Sequence, residues 1–385
     1  MSPRLVARSV RGLEWIAADE ISAGLTNASG IKLSGREVSF ELPALAPHVL
    51  ELRLVDDLFL EVGTVTDIGK NKGAPESAAR RIIALDWAAV LSQLNTVRKL
   101  PDGPQFDVVA SLEGRHNYNR FDMENAIGAT LRPLLCGSYL ARTTEGRQAG
   151  EPQLTVRVFV RDAEARVTLR IADRPLHRRW YKQDTGPGTL HPPVAAALAR
   201  LAWPAAGENV ADPFCGDGTV AIETALAYPG SRVLAGDIDP GRLDNARSNA
   251  ARAGVTLSLT QLDAGLLPWS AGGADVVVTN PPWNIAVAAG GLLRSSMDKF
   301  WRQLPGLLSQ GGRVCLIADV DLNAPERLRR MGYQLTLATQ IRVAGRVSHL
   351  VLCAPAGKDR PQLPPGLARW RRQALADGVI TGAGF

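Results

Sequence analysis

The alternation of apolar and polar positions changes character near residue 190 of this 385-residue chain. Before that point, short apolar runs and stretches of helical periodicity follow one another irregularly. Val6–Val10 reads as a strand, Leu13–Ala23 as an amphipathic helix closed by Gly24, Val38–Leu42 as a strand and Leu45–Leu54 as a helix. A second α+β series follows. Its strands fall at Phe59–Thr66, Phe106–Leu112, Thr155–Val160 and Ala165–Ile171, with helices at Glu76–Leu94 and Asp122–Leu135. Only Arg161-Asp162-Ala163-Glu164 separate the last two strands, which predicts a hairpin.

Asp184 to Pro193 (D-T-G-P-G-T-L-H-P-P) breaks the pattern. Beyond it, strands alternate with helices, the signature of a doubly wound parallel sheet. The strands are Asn209–Ala211, Arg232–Asp237, Thr256–Leu262, Ala274–Thr279 and Arg313–Ala318, and the helices between them include Thr219–Ala227 and Pro240–Ala253. Tyr333–Val343 and Val347–Ala354, joined by Ala344-Gly345-Arg346, predict a closing antiparallel hairpin. The tail from Gly357 to Phe385 is polar and basic, with a short helix around Leu367–Ala376.

Composition narrows the class. A hydrophobic content of 45% supplies real cores, and no apolar run approaches the ~20 residues of a membrane span. The first residues lack the apolar stretch of a secretory signal. Cys136, Cys215, Cys315 and Cys353 form no C-x-x-C pair, which argues against structural zinc and against a disulfide framework. A cytoplasmic location and a monomer are the expectations. The net charge of +6 and pI near 9.3 fit either plain solubility or a polyanionic partner.

The chemistry gathers at four successive strand ends: Asp212, Asp237, Asp263 and Asn280. In an open α/β sheet, ligands bind outside the carboxyl ends of strands. Gly216 and Gly218 follow the first, and their missing Cβ atoms let backbone approach a ligand. Asp212 ahead of them suits a cationic group such as the amino acid part of S-adenosylmethionine. Asp237, about twenty residues on, can accept from ribose hydroxyls, and Asp263 from an adenine amine. Asp239 caps the helix that opens at Pro240. The rival is a nicotinamide dinucleotide, since Gly216-Asp217-Gly218-Thr219-Val220-Ala221 also fits G-x-G-x-x-A. Asp212 disfavours a pyrophosphate, and no hydride-transfer partner is in view.

The fourth strand end is the richest. Asn280 offers a carbonyl acceptor, Pro281 and Pro282 stiffen the turn, and Trp283 adds a flat apolar face. That combination suits a planar ring bearing an –NH2, a nucleobase with an exocyclic amine. Asn280 and the Pro281 carbonyl would accept the two amine N–H bonds. Asp275, at the start of the strand, reads as structural.

The string A-D-P-F-C-G-D-G-T-V-A-I-E-T-A from Ala211, followed by G-D-I-D-P and T-N-P-P-W, resembles class I methyltransferases of exocyclic base amines. Upstream, L-H-R-R-W-Y-K from Leu176 and P-G-T-L-H-P-P-V-A-A-A-L-A from Pro187 are similar to the lead-in of THUMP-containing RNA guanine-N2 methyltransferases. R-S-V-R-G-L-E-W-I-A-A-D-E-I from Arg8 and the F-D-V-V-A-S to R-F-D-M-E-N-A-I-G-A-T-L region resemble the family's N-terminal half more loosely. The resemblance implies an α/β fold: a C-terminal Rossmann-like class I methyltransferase domain with a mostly parallel seven-stranded sheet, and an N-terminal α+β ferredoxin-like and THUMP-type region. It divides the chain into a ferredoxin-like region (1–60), a THUMP-type region (61–175), a linker (176–193), the catalytic domain (194–356) and a basic tail (357–385).

By that resemblance the cofactor is S-adenosylmethionine, held by Asp212, Gly216, Gly218, Asp237 and Asp263 with their neighbours Phe214, Cys215, Thr219, Ile238 and Ala264, and touched by Asn280. Asn280, Pro281, Pro282 and Trp283 form the catalytic turn. The family commonly continues with tyrosine and glycine after the two prolines, whereas this chain has Trp283 and Asn284. The implied partner is RNA, tRNA or 23S rRNA, and adenine-N6 methylation or a relict, non-catalytic fold stays open beside guanine-N2 methylation. Arg174, Arg178, Arg179 and Lys182 are the expected phosphate contacts, against the simpler reading of a solvated charged face. His177 and His191 read as packing or hydrogen-bonding residues.

Overall fold

The computed structural model describes residues 2–143, 146–147, 151–283, 288–343 and 345–381. Asn284, Ala344 and the last four residues of the tail lie outside the described residues.

The first half contains β1 (Arg4–Arg8), α1 (Glu14–Gly24), β2 (Ser29–Ser34), β3 (Glu37–Glu41), β4 (Asp57–Val65), α2 (Ala74–Ile82), α3 (Trp87–Val97), β5 (Gln105–Glu113), α4 (Arg120–Leu135), the short β6 (Ser138–Tyr139), β7 (Arg142–Thr143) and β8 (Gly146–Arg147), then β9 (Leu154–Arg161) and β10 (Glu164–Arg170). One eight-stranded sheet runs through it in the order β2-β3-β1-β4-β10-β9-β5-β6. The division at 60/61 falls inside β4, which pairs with β1 on one side and β10 on the other. The predicted hairpin is present as β9 and β10, with Glu164 opposite Arg161.

Two expectations change here, and one strand is added. The single helix at Glu76–Leu94 is two, because Asp86 starts a new one by accepting from Ala89 N at 3.1 Å. The buried Trp87 locks the break by donating from Nε1 to Ile82 O at 2.8 Å. The helix at Leu45–Leu54 shrinks to a 3-10 turn at Pro47–Glu51. The edge strand β2 escaped notice because only Leu33 of its six residues is buried, leaving no alternation to read.

The second half contains α5 (Pro192–Ala202), β11 (Asn209–Asp212), α6 (Thr219–Ala227), β12 (Arg232–Asp237), α7 (Pro240–Ala253), β13 (Ser258–Gln261), β14 (Ala274–Thr279), α8 (Asp298–Leu307), β15 (Leu308–Asp319), α9 (Ala324–Arg330), β16 (Gln334–Val343), β17 (Arg346–Ala354) and α10 (Pro365–Ala376). Its seven-stranded sheet has the order β13-β12-β11-β14-β15-β17-β16, parallel except that β17 runs antiparallel to both its neighbours, β15 and β16. Val276, Val277 and Val278 of β14 are fully buried, as expected for a central parallel strand.

The expected basic tail is a docked element. Helix α10 lies on α1, burying Leu367 and Trp370, and Trp370 Nε1 donates to Ser22 Oγ at 3.0 Å. The halves are also joined through Glu223 on α6, which is fully buried. Arg53 Nε donates to it at 2.7 Å, Arg179 Nε at 2.9 Å and the Tyr181 hydroxyl at 2.8 Å. Burial pushes the Glu223 carboxyl up, but the two guanidiniums outweigh it and hold the group below its ordinary value. Among the described residues, no helix is long and apolar enough to cross a membrane.

Candidate active site

Strand β11 is the switch point of the second sheet. From it the chain builds outward through β12 and β13 on one side and β14 and β15 on the other. That reversal leaves a crevice at the carboxyl ends. A cavity of about 830 Å³ lies there, within the range of ordinary ligand pockets.

Asp212 ends β11. Its Oδ1 accepts from Thr279 Oγ1 at 2.8 Å and from Phe214 N at 3.3 Å, while Oδ2 is buried without a partner. Burial pushes its carboxyl up to about 7. The two hydrogen bonds oppose the shift, and the nearby Asp237 adds to it. Asp212 sits behind the cavity wall, whereas Phe214, Cys215, Gly216 and Thr219 line it. Gly216 (φ +51°) carries the loop past Arg242, whose Nη2 would be 2.8 Å from a Cβ there. Gly218 (φ +85°) does not reach the cavity. It turns the chain into α6, packed so closely that a Cβ would lie 3.1 Å from the Cβ of Ala246.

Asp237, Ile238, Asp263 and Ala264 all line the cavity. Asp237 accepts from Gly216 N at 2.8 Å and Asp239 N at 3.0 Å. Asp263 accepts from Gly265 N at 2.8 Å and Leu292 N at 2.7 Å. Each carboxylate is thereby fixed in direction with acceptor capacity to spare. Ile238, 45% exposed, gives an apolar surface for a flat ring. Asp239 caps α7 by accepting from Gly241 N at 2.8 Å.

Asn280, Pro281, Pro282 and Trp283 line the same cavity. Asn280 Oδ1 and Trp283 Nε1 are both buried without a hydrogen-bond partner among the described residues. Leaving a buried polar group unpaired costs about 1–3 kcal/mol. The turn thus carries one unfilled acceptor and one unfilled donor.

Comparison with known proteins agrees with this geometry. Residues 179–349 match the family model UPF0020, described as RMKL-like, methyltransferase domain. The chain is 33% identical over 319 residues to a tRNA (guanine(6)-N2)-methyltransferase of Thermus thermophilus, covering 81% of this chain and 88% of that protein. The chain belongs to the RNA guanine-N2 methyltransferase family. A tRNA (guanine(6)-N2)-methyltransferase of Archaeoglobus fulgidus is 24% identical over 278 residues, 65% of this chain and 70% of that one. The crystal structure of TrmN from Thermus thermophilus superimposes with a TM-score of 0.72 at 29% identity, covering 92% of this chain and 99% of that one.

The cofactor of such a methyltransferase is S-adenosylmethionine, and the residues present fit it. Asp212 Oδ2, unpartnered among the described residues just behind the glycine loop, suits a cationic group, and Gly216, Asp237, Ile238 and Asp263 follow along the cavity wall.

The basic residues divide. Arg174 and Arg178 are exposed. Arg179 is not the phosphate contact expected of it. Only 8% exposed, it is consumed by Glu223, Leu176 O and Arg53 O. Lys182 faces the cavity and donates from Nζ to Leu190 O at 2.6 Å, with burial lowering its pKa to about 8.

Several residues of the site escaped the sequence reading. Asp217 ties the linker to the glycine loop by accepting from Gly186 N at 2.8 Å, Thr189 Oγ1 and Asn245 Nδ2 at 3.0 Å, with Arg242 Nε 3.1 Å away. Burial raises its carboxyl, yet these donors together hold it below the ordinary value. An acid between two loop glycines was the available signal. Asp56 also escaped the sequence reading; it lines the cavity with His177 and His191, which hydrogen-bond to it, and one ligand atom of each lies within 4.8 Å of the others. A cation could sit there only by displacing existing bonds, since His191 Nε2 is 2.7 Å from Asp56 Oδ1 and Arg36 Nη2 is 3.7 Å from Oδ2.

Proposed function

We propose that this protein transfers a methyl group from S-adenosylmethionine to the exocyclic N2 of a guanosine in tRNA, and that the Asn280–Trp283 turn holds the target base. The unfilled Asn280 acceptor at the wall of the cavity carries this reading. S-adenosylmethionine, when bound, would supply an electrophilic methyl group with a neutral thioether as leaving group, one amine proton passing to solvent. The amine it meets is a weak nucleophile, because its lone pair is delocalised into the ring. Asn280 Oδ1 accepts one of its N–H bonds and the Pro281 carbonyl the other, which makes the lone pair more available and fixes its direction. Orientation of this kind offsets several kcal/mol of barrier, roughly 7–11 at the best-aligned limit. Unstacking the base costs a few kcal/mol, of which Trp283 returns ~1–3 by stacking.

The name of the Thermus thermophilus relative makes nucleotide 6 of tRNA the first position to test. We assign the activity to the cytoplasm, a reducing compartment that suits four free thiols. The test uses tRNA transcripts carrying guanosine or inosine at that position. Methyl incorporation into the guanosine transcript alone supports the proposal. Equal incorporation into the inosine transcript, which lacks the N2 amine, overturns the position.

A further inference from the structure

Five arginines and lysines line the catalytic cavity: Arg36, Lys182, Arg242, Arg342 and Arg346. Three are committed to the protein. Lys182 is held by Leu190 O, Arg242 by Asp217 and Pro187 O, and Arg346 by Asp319 at 2.6 Å and Asp321 at 3.1 Å. Arg36 and Arg342 are different. Both are exposed, and Arg342 has no acidic partner among the described residues, its Nη1 donating only to Gly345 O at 3.2 Å. Arg36 lies 3.7 Å from Asp56, an acid that His191 already holds at 2.7 Å.

The backbone of Arg36 shows how firmly it is placed. It follows Gly35 in the β2–β3 turn and adopts φ +66°, a left-handed conformation that an arginine adopts at a cost and a glycine adopts freely. Two bonds enforce it: Arg36 N donates to the buried Glu14 Oε1 at 2.7 Å, and Ser9 N donates to Arg36 O at 2.9 Å. Arg342 arrives from β16, whose backbone joins the first half where Arg342 N donates to Arg11 O at 3.0 Å. The N-terminal half thus delivers to the cavity one guanidinium held only by a long 3.7 Å pair with Asp56, and the catalytic sheet delivers another with no acidic partner among the described residues.

We propose that Arg36 and Arg342 form a phosphate clamp at the cavity, gripping the RNA backbone at the target nucleotide once its base has left the helix. This rests on the RNA-methylating reading above. Arginine suits the task because its planar fork pairs with phosphate in two hydrogen bonds. Asp56 keeps its 2.7 Å hydrogen bond with His191 when Arg36 turns to a phosphate.

The test uses the full chain with a tRNA transcript and the variants Arg36→Gly, Arg36→Lys and Arg342→Ala. Arg36→Gly removes the guanidinium and relieves the backbone, so the thermal midpoint should stay or rise and S-adenosylmethionine affinity should not change. Its tRNA affinity should fall about 3–10-fold at 0.1 M salt, and its log–log salt slope should become shallower by ~1, the loss of one phosphate contact. Arg342→Ala should lose a similar increment, and Arg36→Lys should recover much of the salt slope. An unchanged slope in Arg36→Gly, with wild-type protein binding and methylating tRNA, overturns the clamp alone. A lowered thermal midpoint would make Arg36 a structural residue and also overturn it. Wild-type protein that binds no tRNA would overturn both the clamp and the reading it rests on.

Discussion

The two sheets of this protein use charge in opposite ways. In the N-terminal sheet, charged side chains satisfy one another across strands. Arg8 and Arg166 share Glu37, Arg170 pairs with Asp57 at 2.6 Å, and the guanidiniums of Arg8, Arg157 and Arg166 gather 5.0–5.2 Å from the Phe159 ring. In the catalytic sheet, polar groups stand at the ends of four strands, and three of them, Asp237, Asp263 and Asn280, keep unused acceptor capacity at a common cavity. The lesson is that a run of arginines counts charges, not contacts. What identifies a site is charge left over after the protein has paired its own.

The largest effect should come where the halves meet. Removing one partner of a buried ion pair costs about 3–5 kcal/mol, because the other charge is stranded. Arg179→Ala or Glu223→Ala should therefore lower the urea midpoint of the whole protein steeply, whereas Arg178→Ala on the surface should leave it unchanged. Equal midpoints for Arg179→Ala and Arg178→Ala would break the distinction between paired and spare charge.

Next comes the unfilled acceptor. Asn280→Ala should reduce single-turnover methyl transfer to tRNA by about 100-fold, the scale of losing one positioned polar contact in a transition state, with cofactor affinity near wild type by calorimetry. If affinity fell in step with turnover, Asn280 would belong to cofactor binding alone.

A smaller effect sharpens the role of Asp212. Its carboxyl titrates near 7 in the folded protein, against 3.8 ordinarily, so the folded state takes up a proton that the unfolded state releases. Stability should therefore decline as pH rises from about 4 to about 7, and Asp212→Asn should flatten that decline. A bound cation favours the carboxylate, so cofactor affinity should weaken as pH falls below about 7. A pH-independent affinity would remove Asp212 from the site.

The catalytic half was legible because its signals are local. β12, β14, α6 and α7 read within their own segments, from continuous apolar strands, a glycine loop and an Asp-Pro cap. What escaped is long-range. Arg179 looks like a surface cation until Glu223, 44 positions away, is folded against it, and His191 meets an acid 135 positions upstream. Arg36 gave no signal at all, since its meaning lies in a backbone angle and in the cavity it faces. The helix α10 was readable as a helix, but its docking on α1 was not, because nothing in a basic tail names the surface that receives it.

The Asn280–Trp283 turn, on the function proposed above, directs methyl transfer to the N2 amine of guanine. Nucleoside mass spectrometry of tRNA treated with purified protein and S-adenosylmethionine tests it most directly. The expected result is new N2-methylguanosine that disappears with Asn280→Ala. N6-methyladenosine in its place, or N2-methylguanosine undiminished by that substitution, would contradict it.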